Sequence, residues 1–175
     1  LYVAKMVGGE AKSIPQELKK ADLHYEDDVI GIVYPCYVYG IPASVKAFLE
    51  RATWKAQYTF AIISYGFTSG AAVAYLKKAA DLYDKHFDYV GRVKMVDNYL
   101  LAFDIDKEVR NEEKKKIDDK LDGIKADIKS RRRSTPRVSI AGKAFEVYGK
   151  SYQDTYASGE FSKQYHVDDS CIHCG

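Results

Sequence analysis

Cysteine is scarce in this chain of 175 residues: three occur, Cys36, Cys171 and Cys174. An odd count with two of them three apart makes a poor disulfide framework, so the expected compartment is reducing and cytoplasmic. Long apolar runs are missing too. None reaches the roughly 18 residues of a membrane span, and no membrane partner is expected. The first residue is Leu1, with no charged stretch and apolar core after it, so no secretory leader is read. Neither sign of charge dominates: 27 basic against 25 acidic residues leave a net +2, too little for a global field that gathers nucleic acid. No internal repeat or low-complexity tract is visible. What remains is a globular balance, 46% hydrophobic and 30% charged, with length for one compact domain and an appendage. Tyrosine, at 15 residues, is the excess.

Apolar patterning alternates between two periods. Residues 28–35 contain Val-Ile-Gly-Ile-Val-Tyr, a β-branched run suited to a strand buried on both faces. From Ile41 the period lengthens: Pro42 suits a first helical turn, and Val45, Phe48, Leu49 and Ala52 fall on one face. A second buried strand is read over 58–64, a helix over about 69–86 with Ala72, Tyr75, Leu76, Ala79 and Leu82 inward, and a third strand over about 89–96. Strand and helix alternating at this spacing imply right-handed crossovers and a parallel sheet, so the fold class is α/β. Residues 1–7 fit a helix better than a strand, with Leu1, Ala4 and Val7 on one side and Gly8-Gly9 at its end.

Residues 104–133 read as one last helix with a narrow stripe of Ile105, Val109, Ile117, Leu121, Ile124 and Ile128. Asp104 and Asp106 at its start and Arg131, Arg132 and Arg133 at its end complement the helix dipole. The arginines read first as a solvated helix end, and second as a dock for an acidic partner or nucleic acid. Residues 134–166 form a linker with a short helical segment, in which Tyr148, Tyr152 and Tyr156 make an aromatic face.

In an open parallel sheet, ligands bind beyond the carboxyl ends of the strands. Two loops lie there: Pro35-Cys36-Tyr37-Val38-Tyr39-Gly40 and Tyr65-Gly66-Phe67-Thr68-Ser69-Gly70. Their rings offer stacking surface to a flat conjugated ligand, their glycines let backbone N–H groups come close, and a Ser or Thr hydroxyl can donate to its polar edge. A third stretch, Met95-Val96-Asp97-Asn98-Tyr99, reads either as a plain turn or as a polar lid. At the far end stands Val167-Asp168-Asp169-Ser170-Cys171-Ile172-His173-Cys174-Gly175. One CxxC suits half a zinc site, a thioredoxin-like pair, or the first ligands of an iron–sulfur cubane.

Taken together, residues 29–42, 64–70, 95–99 and 167–175 resemble the fused ferredoxins whose N-terminal region is similar to flavodoxins. The resemblance implies a flavodoxin-like sheet over residues 1–133, truncated before its first strand, and a 4Fe–4S ferredoxin domain beginning at 167–175. It implies FMN held by Pro35, Cys36, Tyr37, Val38, Tyr39, Gly40, Tyr65, Gly66, Phe67, Thr68, Ser69, Gly70 and Asn98, and a [4Fe–4S] cluster on Cys171 and Cys174. Tyr39 stands where the family usually has Trp, and Phe67 where a smaller residue is usual. The family's phosphate-binding loop would precede Leu1, so the chain as given is expected to bind FMN weakly or not at all. The function implied is electron transfer to a redox partner protein. The alternative is a non-redox interaction module with a zinc-binding tail.

Overall fold

A computed structural model describes residues 2–97, 99, 103–137, 144–145, 149, 163 and 166–170. The elements run α1 (Tyr2–Val7), α2 (Ile14–Glu17), β1 (His24–Glu26), β2 (Val29–Pro35), α3 (Ala43–Arg51), β3 (Thr53–Lys55), β4 (Tyr58–Tyr65), α4 (Ala72–Leu82), β5 (Tyr89–Lys94), α5 (Ile105–Arg110), a 3₁₀ turn (Glu113–Lys115) and α6 (Ile117–Lys129). Strands β2, β4 and β5 form a parallel sheet in the order β2-β4-β5, with Val29 opposite Tyr58 and Phe60 opposite Tyr89. The short strands β1 and β3 pair in parallel with His24 opposite Thr53.

Side chains alternate across the sheet and give it two apolar faces, as a parallel sheet between helix layers requires. One face carries Ile32, Tyr34, Ala61, Ile63 and Val90 against Val45, Phe48 and Leu49 of α3 and Val73 and Leu76 of α4. The other carries Tyr58, Phe60, Ile62, Tyr89 and Val93 against Val3 of α1 and Leu121, Ile124 and Ile128 of α6. Gly31 is needed here: the Phe60 ring lies so close that a Cβ on residue 31 would meet it at 2.1 Å. The α/β class with a parallel sheet and flanking helices therefore stands.

Three readings need correction. The helix over 104–133 is interrupted. Asp104 caps α5 by accepting from the Lys107 N–H at 3.0 Å, but residues 111–116 contain nothing apolar to bury, and Lys116 takes a left-handed φ of +49° before α6 begins. Ile105 and Val109 are accordingly exposed, and only the α6 part of the stripe packs. The second helix starts at Ala72, because Ser69-Gly70 is spent on the loop, and its inner face is Ala72, Val73, Leu76, Ala79 and Ala80. Leu82 faces out at 70% exposure. The strand over 29–35 is buried on one face alone, with Ile32 and Tyr34 in the core and Gly31, Val33 and Pro35 exposed. Beyond α6, Ser134 donates to the Asp88 carbonyl and accepts from the Val90 N–H, tying the chain to the edge of β5. The Tyr148, Tyr152 and Tyr156 face lies outside the described residues.

No helix among the described residues is long and apolar enough to cross a membrane. Arg131, Arg132 and Arg133 are answered one by one by Asp28, Asp127 and Asp88, which favours the structural reading of that cluster.

Candidate functional site

The two loops of the sequence reading converge beyond the carboxyl ends of β2 and β4. After Pro35 the chain closes a two-residue hairpin turn: the Tyr37 N–H donates to the Gly40 carbonyl at 3.2 Å and the Gly40 N–H to the Tyr37 carbonyl at 2.9 Å. Val38 and Tyr39 between them have φ of +46° and +63°. That pair of angles is a type I′ turn, whose usual residues are Asn and Gly. A β-branched residue at positive φ is a true outlier, and strain of this kind gathers at functional sites. The turn persists because its surroundings fix it.

Much of that fixing comes from the second loop. The Ala71 N–H donates to the Tyr39 carbonyl at 3.1 Å, and the Cys36 thiol reaches the Ser69 carbonyl at 3.7 Å. Gly70, with φ of +47°, lies so near the Tyr39 side chain that an added Cβ would meet its Cβ at 2.6 Å. The Thr68 hydroxyl accepts from the Gly70 N–H, and the Ser69 hydroxyl receives Arg92 Nη1 at 3.2 Å from β5. Burial pushes the Cys36 thiol up to about 12, which keeps it protonated and a poor nucleophile.

The third stretch joins through Asp97. Its carboxylate accepts from the Phe67 N–H at 2.7 Å and from the Tyr99 N–H at 3.0 Å. Gly66 is pressed against that carboxylate, where a Cβ would sit 2.1 Å away. The Asp97 N–H in turn donates to Glu108 of α5, whose carboxylate pairs with the nearly buried Lys115 ammonium. Lys115 and the Asp97 N–H hold the Glu108 carboxyl below its usual range. Asp97 is therefore a structural keystone that the turn-or-lid reading of 95–99 left open. Asn98 lies outside the described residues.

Tyr37 and Phe67 stand above this framework at 60% and 63% exposure, and Tyr99 at 52%. Phe67 leans on Phe103 with ring centroids 6.0 Å apart. Large rings left in water at a loop cluster, on an otherwise packed sheet, offer stacking surface to a planar ligand. Two of the loop glycines also have a packing role. Gly66 and Gly70 admit Asp97 and Tyr39, which lets the loops pack on one another.

Sequence reasoning missed two participants, Phe145 and Gly149, which approach Tyr39 and Val38 from the chain after the sheet. No local pattern announces a contact between such distant segments. Cys171 and Cys174 lie outside the described residues, and among those described no group of three His, Cys, Asp or Glu side chains could hold a metal. Comparison with protein-family models, curated proteins and solved structures returns no match.

Proposed function

We propose that this chain is the flavin-binding part of a flavodoxin-like electron-transfer protein whose CxxC belongs to a [4Fe–4S] cluster. One observation supports the flavin most directly: exposed aromatic rings stand on a strained, mutually braced pair of loops at the carboxyl end of a parallel sheet. That is where such folds receive ligands. The residues present fit a flat conjugated ring better than a sugar or a metal. Tyr37 and Phe67 supply apolar faces, while Thr68 and Ser69 supply hydroxyls at the loop that carries Phe67.

FMN, when bound, would accept or donate one or two electrons. The work of this chain is to place it. Tyr37 and Phe67 would shield the ring from water, and the Asp97 and Glu108 carboxylates would hold the loop in position through backbone N–H groups. The part-buried Arg92 guanidinium has no carboxylate partner among the described residues, and it brings positive charge beneath the Ser69 loop. Among the described residues the site shows no nucleophile and base to arrange. Cys171 and Cys174 would supply two of the four thiolates of a cubane, with the others elsewhere in the protein.

Titration of riboflavin and FMN against the chain, followed by quenching of flavin fluorescence, tests the reading. Riboflavin and FMN are expected to bind this chain with similar weak affinity, and FMN to gain strongly in a protein extended before Leu1. Absence of flavin binding in both forms overturns it. Anaerobic metal analysis and a visible spectrum separate a cluster from a colourless zinc protein.

A further inference from the structure

Arg92 lies on β5 opposite Ile63, two residues beyond the buried Val90, and so belongs to the sheet face that α3 and α4 cover. Its partly buried guanidinium ends at the junction of the two loops, where Nη1 meets the hydroxyl of the buried Ser69 at 3.2 Å. That junction joins the roots of both exposed rings. The Cys36 thiol, next to Tyr37 in the chain, reaches the Ser69 carbonyl at 3.7 Å, and Phe67 stands two residues before Ser69. A hydroxyl does not neutralise a guanidinium. Arg131, Arg132 and Arg133 each meet a carboxylate, whereas Arg92 meets none among the described residues. Of the carboxylates in the loop cluster, Asp97 is held by the N–H groups of Phe67 and Tyr99 and Glu108 by Lys115, so neither answers Arg92. A partly desolvated cation without a counter-charge favours an anion placed near it.

We propose that Arg92 biases the loop site toward the anionic, reduced form of a flavin over the neutral, oxidised form. This rests on the flavin reading of the loop cluster and adds to it which redox state the chain favours. Two electrons and one proton convert the oxidised ring to an anion whose charge spreads over N1 and the C2 carbonyl oxygen. A ring resting between Tyr37 and Phe67 brings that charge over the Ser69 junction, into the field of Arg92, and the field acts without direct contact. The neutral ring gains far less from it. Asp97 opposes the anion, but it is present in every protein compared below, so its effect cancels.

Dissociation constants of oxidised and dithionite-reduced riboflavin, measured anaerobically by ultrafiltration at mildly alkaline pH, test the bias. The proteins are the full chain and its Arg92→Gln, Arg92→Lys and Ser69→Ala variants. Riboflavin carries no phosphate, so a charge effect belongs to the ring. The ratio of oxidised to reduced constants is expected to fall about threefold to tenfold in Arg92→Gln, the effect of one unit charge about 10 Å away at an effective dielectric of about 25–50. Arg92→Lys keeps the charge and should keep most of the ratio. Ser69→Ala removes only the hydroxyl, so the ratio should stand even where both forms bind less well. In the unmodified chain, added salt should lower the ratio, and a ratio that holds or rises overturns the proposal. Equal weakening of both forms in Arg92→Gln makes Arg92 a brace for the loop and overturns it too. Either result leaves the flavin reading intact. Binding of neither form by any of the proteins removes the flavin reading and the bias together.

Discussion

At the amino ends of β4 and β5 polar groups answer one another, whereas at the carboxyl ends strained backbone holds aromatic rings toward solvent. The amino end centres on Asp88, whose side chain is 7% exposed. One carboxylate oxygen accepts from the Thr59 N–H at 2.9 Å and from its hydroxyl at 3.3 Å, and the other faces His86 Nε2 at 3.3 Å and Arg133 Nε at 3.1 Å. A polar groove of about 510 Å³ beside it, walled by Trp54, Lys55 and Gln57, contains a carboxylate with no unmet need. At the other end Val38 and Tyr39 occupy left-handed backbone without the residues that favour it. One end spends its chemistry on stability. The other keeps strain and exposed apolar surface, which stability alone does not explain.

The contrast can be broken most severely at Asp88. Asp88→Ala leaves the buried Thr59 N–H without its acceptor, and is expected to cost about 3 kcal/mol in urea unfolding, with little change in riboflavin affinity. Its pH dependence follows. Burial opposes the charge, but the Thr59 N–H, His86 and Arg133 together hold the Asp88 carboxyl below its usual value. A depressed carboxyl contributes stability that is full above its unfolded value, about 4, and is lost as pH falls through the lower folded value. Asp88→Asn should flatten the acid limb of a stability–pH curve below about pH 4; an unchanged limb would assign acid sensitivity elsewhere.

Next in size is Gly70→Ala. A positive φ and a Cβ aimed at Tyr39 should cost about 1–3 kcal/mol and alter riboflavin binding as well as stability. Val38→Asn tests the strain itself: if the turn is held against its preference, Asn should stabilise the protein by about 1 kcal/mol, read as a higher Tm. Loss of stability would show that Val38 packing outweighs its backbone. The smallest effect is expected from Arg131→Ala, which removes an exposed pair with Asp28; it should cost under about 1 kcal/mol, and less in high salt.

Strand β4 was legible because it is buried on both faces, so 58–65 stands out as an apolar run even without alternation, whereas the run at 29–35 was found by its β-branched residues although it buries Ile32 and Tyr34 and leaves Val33 exposed. The α3 face was legible for a similar reason: Val45, Phe48, Leu49 and Ala52 all lie in the core. The break at Lys116 was hidden because Ile105 and Val109 continue the helical period, and periodicity records what repeats without showing whether a surface is there to cover it. The two loops could be placed, since position after a strand is local information. Their bracing by Asp97, Phe145 and Gly149 could not, because those contacts depend on how distant segments meet. Asp88 escaped notice for the same cause: a carboxylate just before a strand looks like a turn residue until His86 and Arg133 arrive.

Strands β1 and β3 keep the same offset of 29 residues that relates β2 to β4, His24 with Thr53 and Val29 with Tyr58. The two pairs therefore share one register, interrupted by Asp27-Asp28 on one side and Ala56-Gln57 on the other. The interruptions are equal in length, and that equality makes the gap a matched joint. A residue inserted in one side alone would throw His24, Tyr25 and Glu26 out of step with their partners and turn every side chain of the short ladder over. Tolerated length changes here must come in pairs, one in each strand, whereas the loop that leads into α3 can lengthen alone without disturbing either ladder.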